Sequence, residues 1–208
     1  MNKKVERGRA TREQLIAIAT RLFAERGYED TSIEAVLQES GVSRGALYHH
    51  FSGKEGLFEA VHEEVGIQVA RDYGDAIQGL GDPVAILYAG ARTWVRLAGD
   101  PTVQRILLVD APAVFGWQRW RDMENEYSLG PVKDVLQAVA DAGRLPEHLV
   151  TPFAHMLLAS LNEIGFVIAQ SDDTEKATRE GEIAVAALID RILAAEGPPQ
   201  PKGASGQP

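Results

Sequence analysis

Over residues 31–46 the chain gathers Thr31, Ser32, Ser43 and Arg44 with two residues too small to obstruct them, Gly45 and Ala46. Hydroxyls at helix N-termini join the backbone amides and the positive end of the helix dipole in favouring a phosphate oxygen. Arg44 is the only long donor at that point, and its fork matches guanine O6 and N7. Gly45 and Ala46 let the backbone approach base edges, with the Ala46 methyl available to thymine. The chemistry on offer is contact with phosphate and base edges of double-stranded DNA; the alternatives from the residues alone are hydroxyls that only cap helices and an arginine that is solvated or binds phosphate only. Other chemistries lack their parts. There is no cysteine, which removes disulfides, thiolate nucleophiles and Cys-ligated zinc. Gly-rich phosphate loops, an HExxH pair and a local Ser/His/Asp signature are also missing, which counts against the rival reading of a helical enzyme or ligand carrier. No catalytic residue and no cofactor is expected. The His49-His50 pair with His62 lacks a carboxylate at a ligand spacing, so no metal is expected either.

Positioning these side chains takes three short helices. Leu15, Ile18, Ala19, Leu22 and Phe23 recur at the spacing of one buried helical face, which predicts a first helix from about Thr11 to Arg26, stopped by Gly27. Thr31 and Glu34 read as a reciprocal capping pair opening a second helix that ends at Ser40-Gly41. Ser43 then caps a third, Arg44 to His50, before the Ser52-Gly53 break. Two helices joined by a glycine-containing turn describe a helix-turn-helix whose second member enters the major groove.

The segment Thr31-Ser32-Ile33, Ser40-Gly41-Val42-Ser43-Arg44-Gly45-Ala46-Leu47-Tyr48-His49-His50-Phe51 and Lys54-Glu55-Gly56-Leu57-Phe58 closely resembles the signature of the TetR family of transcriptional regulators. The resemblance covers about residues 11–60. It implies that Tyr48 and Lys54 contact phosphate, that His49 and His50 lie on or near the DNA-facing side, and that Val42, Leu47 and Phe51 are core. Two positions depart from the family's habit: Val36-Leu37 where Ile-Ala is common, and Ala46 where a hydroxyl residue is common.

The net charge of −9 opposes DNA binding at first sight, because the duplex is a dense anion. Its distribution removes the objection. Residues 1–59 carry nine Lys/Arg against nine Asp/Glu, whereas residues 60–208 carry twelve against twenty-one. Lys3, Lys4, Arg7, Arg9 and Arg12 against Glu6 alone read as a basic flexible arm over residues 1–10. With an apolar content of 45% the rest can bury a large core. The basic N-terminus and the absence of a run of roughly 18 apolar residues predict a soluble, cytoplasmic chain without a membrane partner.

Downstream the pattern is all-α. A fourth helix begins near Lys54 and extends to Ile77. Gly81-Asp82-Pro83 and Gly99-Asp100-Pro101 each place an acidic cap before a proline and open a fifth and a sixth. A seventh spans about Trp117 to Ala142 and is expected to bend or break at Gly130-Pro131. An eighth runs from Pro152 to Gln170, and a ninth, capped by Asp172 or Asp173, from Thr174 to Glu196. Residues 11–58 are thus expected to form the DNA-binding domain, 59–196 the ligand-binding and dimerisation domain, and 197–208 a disordered tail. Trp94, Phe115, Trp117, Trp120, Met123, Tyr127 and Phe166 suggest a small-molecule pocket, with Asp110, His155 and Asn162 as polar anchors. The ninth helix is apolar on nearly all sides; the family resemblance implies a homodimer through the eighth and ninth helices, released from a palindromic operator by an inducer.

Overall fold

The computed structural model describes residues 3–194, and these are helical with no strand. Besides a 3-10 turn at Glu147–Leu149, nine helical paths follow one another: α1 (Lys3–Asp30, interrupted at Gly27 as expected), α2 (Ile33–Ser40), α3 (Arg44–His50), α4 (Lys54–Ile77), α5 (Pro83–Leu97), α6 (101–115), α7 (117–141), α8 (Val150–Ala169) and α9 (Thr174–Leu193). The tail expected over 197–208 lies outside the described residues.

The acidic caps act as read from the sequence. The Asp82 carboxylate accepts from the amides of Val84 and Ala85, Asp100 from Thr102 and Val103, and Asp173 from Lys176, each satisfying donors a helix start leaves open. Gly41 ends α2 at φ 67 in the left-handed conformation.

Two expectations are corrected at the N-terminus. The basic segment is not a separate arm: α1 already begins at Lys3. Arg9 pairs with Glu13 one turn on, and the Thr11 hydroxyl donates to the Arg7 carbonyl, so the segment propagates a helix whose nucleus the buried residues downstream have secured. Thr31 is not the cap of α2. Ser32 is, accepting from the Ala35 amide at 3.1 Å. Thr31 is fully buried and donates its hydroxyl to the carbonyls of Leu22 and Gly27.

α6 and α7 carry prolines inside continuous helical paths. In α6 a π-helical stretch, Gln104–Asp110, precedes Ala111–Phe115 with Pro112 in its first turn; in α7 a second, Asn125–Leu129, precedes Gly130–Asp141 with Pro131 likewise placed. Widening the turn ahead of each proline makes room for a ring that would otherwise strike the preceding carbonyl. The expected break at Gly130-Pro131 is therefore a π turn.

The core has two connected parts. Phe23, Leu47, Phe58 and Val61 from α1, α3 and α4 pack with Ile106, Phe115 and Trp120 from α6 and α7, so the N-terminal head and the larger region share one apolar cluster across the boundary expected at residue 58. Leu87, Val95, Leu136, Leu157, Ile168 and Ile189 form the other. Each such side chain contributes roughly 1.5–3 kcal/mol by leaving water. By length and mean hydropathy the stretch Glu147–Ala169 could cross a membrane, although polar residues such as His155, Asn162 and Glu163 interrupt it. It packs against α5, α7 and α9, and it keeps Met156 and Val167 exposed.

Candidate nucleic-acid interface and effector region

α3 is held from beneath by Leu47, which is fully buried. Its opposite side exposes Ser43, Arg44, Gly45, Tyr48 and His49, with Ala46 and His50 half-buried. Ser43 caps the helix by accepting from the Ala46 amide at 3.3 Å. A Cβ on Gly45 would meet nothing within 4 Å, so the surface over α3 is open to a large partner. Arg44 is ion-paired with Glu34 of α2, both side chains being more than half exposed. The sequence pattern assigns Glu34 no such role; it holds the one long donor of α3 in an exposed pair that costs little to open in water.

Lys54 at the start of α4 reaches back to α1. Its Nζ donates to the Glu29 carbonyl at 3.1 Å and lies 4.3 Å from the Tyr28 ring centre. Arg12 of α1 lies over the Phe51 ring, and Gly8 passes close to His50, so the basic part of α1 runs beside the end of α3. Ser32, Ser43, Arg44, Tyr48 and His49 are exposed and Lys54 is half-buried, whereas Thr31 is withdrawn by its burial. Among the described residues no group of three His, Asp or Glu side chains is arranged to hold a metal.

In the larger region the ten residues expected to line a pocket separate. Trp94, Phe115, Trp120, Met123 and Phe166 join one apolar cluster, with the Trp120 and Phe166 rings 5.9 Å apart. Asn162 is buried close by on α8. Trp117 is 62% exposed, though its ring lies 5.0 Å from that of Trp120. Tyr127 and His155 are exposed and stand apart from that cluster. Asp110 is a structural tie and not a pocket anchor. Its carboxylate accepts the Tyr28 amide at 2.7 Å and Arg105 Nε at 3.2 Å, joining α6 to the end of α1. Gly27 permits this at φ 81, since a Cβ there would collide with the Arg105 guanidinium. Two surface clefts, one at Gly143–Pro146 and Leu193 and one between Tyr88 and Ile183, touch none of the ten.

Between head and larger region, Arg119 of α7 pairs with Glu55 and Glu59 of α4 and covers the Phe115 ring, which His62 meets edge-on. Burial lowers His62 to about 4, with Glu59 opposing and Arg119 assisting. A histidine held neutral when folded takes up a proton on unfolding, so this contribution to stability is complete above about pH 6.5 and is lost as pH falls toward 4. Replacing His62 with Gln should flatten the acid limb of a stability–pH profile by roughly 3 kcal/mol; an unchanged limb would show that His62 titrates as in water.

The comparisons agree with this arrangement. Residues 15–61 match the family described as bacterial regulatory proteins, tetR family, and residues 84–192 match the tetracyclin repressor-like C-terminal domain. The chain belongs to the TetR family, and it is a DNA-binding transcriptional regulator, not an enzyme. A relative, the HTH-type transcriptional repressor AcnR of Corynebacterium diphtheriae, is 29% identical over 171 residues, covering 81% of this chain and 86% of its own. A TetR-family regulator from Pectobacterium atrosepticum superposes with a TM-score of 0.79 at 27% identity, over 95% of this chain and all of that one. The structure of RolR in complex with resorcinol shares the fold at a TM-score of 0.67 and 19% identity, over 93% of this chain and 98% of that one.

Proposed function

We propose that the chain is a homodimeric, cytoplasmic repressor that binds a palindromic operator through α3 and leaves it when a small apolar or aromatic ligand enters the larger region. Residues 11–58 read the DNA; residues 59–196 dimerise and bind the ligand. The observation that carries the reading is α4. It starts at Lys54, with three residues between it and the end of α3 and that lysine held against the end of α1, while Phe58, Val61 and His62 along its length pack against α6 and α7. A displacement around Trp120 therefore reaches the DNA-facing end through a rigid rod. A dimer reading half-sites about one helical turn apart, ~34–36 Å, needs both α3 helices in register, and a small tilt unseats one. The exposed Met156, Val167 and Ile183 on α8 and α9 support the dimer. That RolR was solved with resorcinol supports a small ligand for this fold.

Coupling of ~1–3 kcal/mol would lower operator affinity about 5–150-fold, and operator must weaken ligand binding by the same factor. Titrating a ligand with and without operator, followed by tryptophan fluorescence, tests this; equal ligand affinities in the two titrations would remove the mechanism. For the reading head, Arg44→Ala should cost ~1–3 kcal/mol on the cognate operator and relax one base position per half-site. Lys54→Ala should weaken all sequences alike and reduce the salt slope by roughly one unit. Equal losses on random DNA for both variants would reassign Arg44 to phosphate.

A further inference from the structure

We infer that the ligand site is built for a hydroxyl group on a flat apolar body, held between Asn162 of α8 and Glu124 of α7. The inference rests on the reading that a small apolar ligand enters the larger region. α7 and α8 face each other in two rungs. The Trp120 and Phe166 rings meet tilted, 5.9 Å apart; one turn further along α7 and one turn back along α8 lie Glu124 and Asn162. Asn162 is 5% exposed, and its Nδ2 is buried with no hydrogen-bond partner, while the Glu124 side chain is 13% exposed. The amide neighbours the Glu124 carboxylate and favours its charged form, without reaching good hydrogen-bond geometry to it. An unsatisfied buried donor is destabilising, so the group calls for an explanation beyond stability.

The neighbouring donors are spent. Trp94 Nε1 donates to the Leu161 carbonyl at 2.9 Å and Trp120 Nε1 to the Leu107 carbonyl at 3.3 Å, so both indoles present carbon faces. Arg121 is engaged with Glu124 at 3.3 Å and lies toward Trp117, on the more exposed side. What remains is one donor and one acceptor side by side, flanked by aromatic rings. A hydroxyl satisfies both at once: its oxygen accepts from Asn162 Nδ2, and its hydrogen is donated to the Glu124 carboxylate. An ammonium would set donor against donor at Asn162, and a carboxylate would set anion against anion at Glu124. The wall has a place to give way, because the π-helical turn of α7 begins at Asn125, directly after Glu124.

The test is tryptophan fluorescence titration of the full chain with phenol, toluene and benzoate, together with thermal unfolding of Asn162→Leu and Glu124→Gln. Phenol should bind at least about tenfold more tightly than toluene, its counterpart without the hydroxyl, and more tightly than benzoate. Both variants should abolish the preference while keeping toluene binding and operator binding. Asn162→Leu should unfold at the same or a higher temperature, since it removes an unpaired donor. Equal binding of phenol and toluene, tighter binding of benzoate, or a lowered unfolding temperature for Asn162→Leu would overturn the hydroxyl inference alone. If neither phenol nor toluene binds, the apolar-ligand reading falls with it.

Discussion

Ile183→Glu should leave a folded monomer that holds its operator at least ~100-fold more weakly. Ile183 is 71% exposed on α9, so nothing inside the protomer depends on it and the unfolding temperature of dilute protein should not drop through lost packing. In the proposed dimer it meets α8 and α9 of the second copy, where Met156 and Val167 are also exposed. A buried, unpaired carboxylate there is far costlier than a lost methyl contact. Once the subunits separate, each half-site is bound alone, and the effective concentration that links the two events disappears; that link is worth about 10²–10⁴. Light scattering gives the mass and fluorescence anisotropy the affinity. A variant that stays dimeric at micromolar concentration would place the interface elsewhere.

Asp110→Ala should lower stability by about 1–3 kcal/mol and weaken operator binding with it. The Asp110 carboxylate, 7% exposed, takes the Tyr28 amide and Arg105. Removing it leaves a backbone donor stranded in an apolar junction. Arg105 is partly exposed and can be solvated, so its share is discounted. Tyr28 also carries Lys54 over its ring, and loosening it frees the lysine from the geometry expected at the phosphate. For a chain of this size the unfolding temperature should fall by roughly 3–10 °C. Asp110→Asn retains a carbonyl for the Tyr28 amide and should recover most of the loss. If Asp110→Ala changed stability while operator affinity stayed constant, the junction would be structural only.

Particular residues show which features are legible in the sequence. Asp82-Pro83 and Asp100-Pro101 announce their helix starts because cap and proline are adjacent in the chain and need nothing from the tertiary fold. Arg44 stands out because no other long donor is near it. Thr31 and Ser32 show the limit: adjacent hydroxyls compete for one cap, and burial under Leu22 and Gly27, not side-chain chemistry, decides between them. Asp110 reads as a pocket anchor in the sequence because its partner Tyr28 lies 82 residues away. Its other partner, Arg105, stands five residues earlier, a spacing that meets on a π turn and not on an α turn. Only its aromatic type groups Tyr127 with the pocket; it sits in the π-helical stretch Asn125–Leu129, whose extra residue turns it away from the core. The early start of α1 escapes a reading of periodicity because its first turns bury no apolar stripe.

That early helix has a thermodynamic consequence. From Lys3 to Ala10 it forms a rod of roughly 12 Å running on from the body of α1 past His50. An arm that became ordered only against DNA would fold as it bound, and such coupling shows in calorimetry as an enlarged negative heat-capacity change and an opposing entropy. Here the backbone is already in its helical form. Operator association should therefore display a heat-capacity change explained by surface burial alone, with counterion release from the basic residues supplying a favourable entropy.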